Sequence, residues 1–98
     1  MNAISKVSEI TAQDLAEYIR IPDPDSSDIQ LLNNLLGVSV SFIEDYTGVS
    51  DLDAYQNFVI AVFVLVQDLW DTRTLYVDKA NLNKVVEAIL NMHSRNYL

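Results

Sequence analysis

After Gly48 the chain carries neither glycine nor proline, a stretch of 50 residues. Tight β-turns depend on those two residues, so a segment this long without them does not read as short strands joined by hairpins. It reads as helices, even though residues 58–66 are rich in β-branched side chains. The only prolines, Pro22 and Pro24, fall together in Pro22-Asp23-Pro24-Asp25-Ser26-Ser27, a turn flanked by helical patterns.

Capping signals divide the chain. Thr11 and Asp14 stand three apart, the spacing of a capping box, with Ile10 and Leu15 placed for a hydrophobic staple. A first helix therefore starts at Thr11 and stops before Pro22, which disfavours helical geometry at Ile21. A second starts near Ser26 or Ser27. Its apolar positions Ile29, Leu32, Leu36, Val40 and Ile43 step by three and four, and Gly48 ends it. The spacing of Ser50 and Asp53 predicts a third helix from Ser50. That helix has two apolar stripes, one through Tyr55, Phe58, Val62, Leu65 and Leu69, the other through Val59, Phe63, Val66 and Trp70. A helix apolar on most sides belongs at the centre of a bundle. Residues 72–79 form a connection in which Thr74-Leu75-Tyr76-Val77 has extended character. A last helix starts near Asn81, with Leu82, Val85, Val86, Ile89 and Leu90 at helical spacing. Arg95 then complements the dipole at its end. Residues 1–9 read as a flexible lead. The expected fold is all-α, one domain over residues 1–98, a small bundle of three to four helices around the third.

Composition narrows the function. Of 98 residues, 50% are apolar, enough for one core. A chain of this length buries only about 60–65% of its extended surface, which leaves apolar area for a partner. Acidic residues outnumber basic ones 14 to 6, for a net charge of −8. Lys6, Arg20, Arg73, Lys79, Lys84 and Arg95 are scattered, so neither sequence-specific nucleic-acid binding nor an anionic membrane surface is expected. Residues 58–66 are the longest apolar run, nine residues where a membrane span needs about 20. No secretory signal pattern opens the sequence. Cysteine is absent, which removes disulfides and thiolate ligands.

Few residues suggest chemistry. Asp23, Asp25 and Asp28 lack the central glycine and terminal glutamate of a calcium loop; they suit a turn and a helix N-cap. Glu44 and Asp45 are adjacent and point apart on a helix. Asp68 and Asp71 share a face, as an exposed acidic edge would. His93 is the only histidine, its neighbour Ser94 is badly placed for proton transfer, and no glycine-rich phosphate loop exists. No catalytic residue, cofactor or metal is expected. Trp70 and Arg73 are different. Three apart on one face, they allow a guanidinium to lie over an indole. Arg73 then serves either an internal carboxylate pair or a carboxylate of a neighbouring subunit.

The order of several segments resembles the small phage head–tail connector, or head-completion, proteins. Asp14-Leu15-Ala16-Glu17-Tyr18-Ile19-Arg20-Ile21 is similar to their opening L-x-x-Y-L-R-I segment. Residues 25–36 are similar to the start of their second helix, and Ser41-Phe42-Ile43-Glu44-Asp45-Tyr46-Thr47-Gly48 to their Y-I-E-x-Y-T-G stretch. Leu69-Trp70-Asp71-Thr72-Arg73 resembles W-Y-x-x-R, and residues 83–90 with Arg95 resemble the closing helix. The chain departs from the family where a proline often precedes that helix; here stands Asp78-Lys79-Ala80-Asn81. The resemblance, over roughly residues 10–98, implies a homo-oligomeric ring beneath the portal at the head–tail junction of a virion. Its partners would be the portal and tail or completion proteins, and its subunits would stay in the host cytoplasm before assembly. A helical protein–protein adaptor is the alternative, and a small enzyme using Asp68, Asp71 or Glu44 a third reading.

Overall fold

A computed structural model describes residues 4–94. Four α-helices make up the bundle among the described residues, with no strand: α1 (Ala12–Ile19), α2 (Ser26–Thr47), α3 (Phe58–Thr72) and α4 (Lys84–His93). Single 3-10 turns at Val7–Glu9, Leu52–Ala54 and Lys79–Asn81 lie between or before them.

The first two helices start where their caps predict. Thr11 Oγ1 accepts from Asp14 N at 3.1 Å, while Asp14 Oδ2 accepts from Thr11 N at 2.9 Å. Asp25 and Asp28 repeat this reciprocal arrangement at the head of α2, at 2.8 and 3.1 Å. The calcium-like acids are thus a turn and a cap, satisfying amides that a helix start leaves unpaired.

Three helices end on a residue with positive φ. Gly48, at 72°, closes α2, where the left-handed conformation costs glycine little. Arg20 (66°) and Arg73 (56°) close α1 and α3 in the same way. Ile21 N then reaches Ala16 O at 2.9 Å, and Thr74 N reaches Leu69 O at 3.2 Å, which satisfies carbonyls of the last turn.

α3 is the centre of the bundle and packs against α1, α2 and α4. Phe58, Val59, Ala61, Val62, Phe63, Leu65, Val66 and Leu69 are all buried on it. α4 runs antiparallel to it: His93 meets Asn57 at one end, and Asn83 lies by Asp68 at the other.

Four details differ from the sequence expectation. The third helix starts at Phe58, not Ser50, because Asp53 does not cap it. Its carboxylate instead accepts from Ser8 N (3.0 Å) and Ser8 Oγ (2.7 Å), tying Leu52–Ala54 to Val7–Glu9. For the same reason the lead expected as flexible is packed from Val7 onward, with Val7 and Ile10 buried in the core. The last helix starts at Lys84 with Asn83 as its cap, Oδ1 accepting from Val85 N at 2.8 Å. Asn81 belongs to the preceding turn, held by Asp78, and residues 74–77 form no strand, the chain bending at Leu75 and Tyr76. Arg95 lies outside the described residues.

Candidate functional site

The end of α3 carries two unlike faces. An α-helix turns about 100° per residue, so Asp68, Asp71 and Thr72 gather on one side and Trp70 projects roughly 150° away from them.

On the acidic side the chain leaves α3, swings out through exposed Leu75 and Tyr76, and returns along Lys79–Asn81 to α4. Between this loop and the helix lies a cavity of about 340 Å³. Leu65, Leu69, Val77 and Leu82 form its apolar walls, while Asp68, Asp71 and Asp78 supply carboxylates. Asp78 is positioned by the returning turn: Oδ1 accepts from Ala80 N at 3.1 Å and Oδ2 from Asn81 Nδ2 at 2.8 Å. The Asn81 amide, with the Ala80 N–H adding to it, holds the Asp78 carboxyl below the ordinary carboxylate range. Asp68 is shifted the other way. Burial raises it, the neighbouring Asp71 charge adds to this, and the Asn83 side chain works against both. A wall of hydrocarbon with three acids around it suits a cation on an aliphatic stem and repels phosphate.

On the opposite face the Arg73 guanidinium lies over the Trp70 indole, 4.3 Å from the ring centroid. The pair meets although Arg73 has already left the helix, because its left-handed backbone folds the side chain back. No carboxylate lies within salt-bridge reach of Arg73 among the described residues, where the single ion pair joins Lys84 to Glu87. The internal Arg–carboxylate pair that the sequence allowed is therefore not formed there.

The remaining candidates stay apart. Glu44 faces a shallow cleft beside Ile10 and Leu52, away from the acidic cavity. His93 packs on Tyr55 and Phe58, and its Nε2 lies 2.9 Å from Asn57 Oδ1. Ser94 makes no side-chain hydrogen bond among the described residues. No group of three histidine, aspartate or glutamate side chains converges as a metal site among the described residues. No described helix is long and apolar enough to cross a membrane.

Sequence reading singled out Asp68, Asp71, Trp70 and Arg73 but missed Asp78, Tyr76 and Leu82. The Asp78…Asn81 spacing was the available signal, since aspartate readily bonds amides two and three residues ahead. Compared with known proteins, the chain matches no family model, no curated protein and no solved structure.

Proposed function

We propose that this chain is a structural subunit of a phage head–tail connector ring, docking on the portal and linking the DNA-filled head to the tail. The observation that carries the reading is the unpartnered surface at the end of α3. Arg73 is stacked on Trp70 but paired with no described carboxylate, in the segment that resembles W-Y-x-x-R. At the same helix end, on the acidic side, Leu75 and Tyr76 are 62% and 69% exposed, apolar surface that a lone subunit gains nothing by displaying.

Charge supports the same reading. At −8 per subunit, a ring would line a channel with negative potential, and passing DNA would find few phosphate contacts to hold it. The subunit acts by binding and carries out no reaction. An adaptor that takes a basic peptide in the acidic cavity is the second reading, and stoichiometry separates the two.

Sedimentation velocity and negative-stain electron microscopy of the purified chain test the proposal. Closed rings, or a ring formed on a portal encoded beside this gene, support it. A chain that stays monomeric at every salt and concentration, with neighbouring genes unrelated to capsid, portal or tail, overturns it.

A further inference from the structure

We infer that neighbouring copies of this chain meet head to tail at the end of α3, the Arg73–Trp70 face of one copy seated on the acidic cavity of the next. The inference rests on the ring reading above and names the contact that would build it.

Placement comes first. The Arg73–Trp70 face and the Asp68–Asp71 face lie on opposite sides of one helix end, so they do not both face one neighbouring copy, as a two-fold contact between them would require. Joining them from copy to copy gives a heterologous interface, which closes into a ring where the rotation between copies permits and otherwise runs on as a filament. Two-fold pairing of like patches would instead stop at a dimer.

Complementarity comes next. The cavity has apolar walls and three acids, Asp68, Asp71 and Asp78. Arg73 offers what those groups lack: a cation that no described carboxylate holds, on a flexible stem, beside the flat apolar surface of Trp70. Asp68, whose ionised form is disfavoured by burial, gains a counter-charge in this arrangement. Tyr76 lines the cavity and is largely exposed, so it is free to cover an incoming side chain. Guanidinium can also bond carboxylates in pairs, which would fix the register between subunits.

The test uses charge reversal and mixing. Arg73→Glu and Asp71→Arg are prepared separately, and association is measured in sodium sulfate, which screens the net charge, by sedimentation velocity. Each variant alone should associate at least about tenfold more weakly than the parent chain. Mixed in equal amounts they should assemble again, because every junction then joins opposite charges. Arg73→Gly is the folding control. It removes the side chain while giving the left-handed position its preferred residue, so it should melt no lower than the parent and still fail to associate.

If the parent chain forms rings and Arg73→Glu forms them equally well, the contact is wrong and the ring reading stands. If both single variants fail and their mixture fails too, Arg73 acts within its own subunit and the contact is again wrong. If the parent chain never associates but the cavity binds a basic peptide, the ring reading falls with it and the adaptor stands.

Discussion

The phenol ring of Tyr55 lies on the imidazole of His93, centroids 4.0 Å apart and planes inclined by 27°. Phe58 meets the same imidazole edge-on at 5.2 Å, and Asn57 Oδ1 sits 2.9 Å from its Nε2. The chain's one histidine thus fastens the start of α3 to the end of α4.

His93→Ala should therefore destabilise the fold by about 0.5–1.5 kcal/mol, the usual size of an aromatic pair beyond its buried area. For a domain of this length that lowers the melting temperature by roughly 2–8 °C. An unchanged melting curve would show that the stack adds nothing to stability.

The interior of α2 holds two residues that can be improved. Gly37 lies mid-helix, and a methyl group added there meets nothing within 4 Å. Ser39 is fully buried, and its hydroxyl has no hydrogen-bond partner. Gly37→Ala should stabilise by about 0.5–1 kcal/mol through lost chain entropy. Ser39→Ala should add about 1 kcal/mol by removing a hydroxyl whose burial goes uncompensated. Urea midpoints of the two single variants and the double variant check both.

Amide exchange should be slowest along residues 61–69 of α3, which three other helices cover. Phe58→Ala, at a fully buried position, should cost about 3–5 kcal/mol. Slower exchange in α1 or α4 would mean that the folding core lies elsewhere.

Stability should respond to acid with two opposite signs. The Asp28 N–H lowers the Asp25 carboxyl, the Ser8 hydroxyl lowers Asp53, and the Asn81 amide lowers Asp78, each from an ordinary 3.8. Their contribution is complete above that value and is lost as pH falls through the lower folded values. Asp68, raised by burial, opposes them: its effect favours the fold below 3.8 and is lost as pH rises through its higher folded value. Asp68→Asn should therefore raise the melting temperature of the monomer near pH 7 and leave it unchanged near pH 3. The gain is small, because the carboxyl is only partly buried. An equal gain at both pH values would trace the effect to packing and not to charge.

Association should strengthen as salt rises from low to moderate concentration. Chains of charge −8 repel one another over a Debye length of about 10 Å at 0.1 M salt, shrinking to about 3 Å at 1 M. The proposed Arg73–carboxylate contact, partly buried once formed, would be screened far less than these exposed charges. Sedimentation at the two extremes checks the sign. Large oligomers at low salt that dissociate at high salt would mean exposed ion pairs hold them.

The helical class, the head of α1 at Thr11, the turn through Pro22 and Pro24, the extent of α2 and the central place of α3 were all legible in the chain's local pattern. Each rests on local physics: caps that satisfy free amides, a glycine at a left-handed position, and apolar spacing near 3.6 residues. The spacing of Trp70 and Arg73 also put the two within reach of each other, although the contact forms with Arg73 already past the helix in a left-handed conformation. Where Asp53 places its hydrogen bonds, and so where α3 begins, depended on long-range packing: the partner, Ser8, lies 45 residues away. Likewise only tertiary packing returned Asp78 to the side of α3 that carries Asp68 and Asp71, making a cavity from an acidic edge. Local pattern specifies what a residue can do to its neighbours within a turn or two. Which distant group it meets depends on how the helices pack, and the acidic cavity at the end of α3 is a product of that packing.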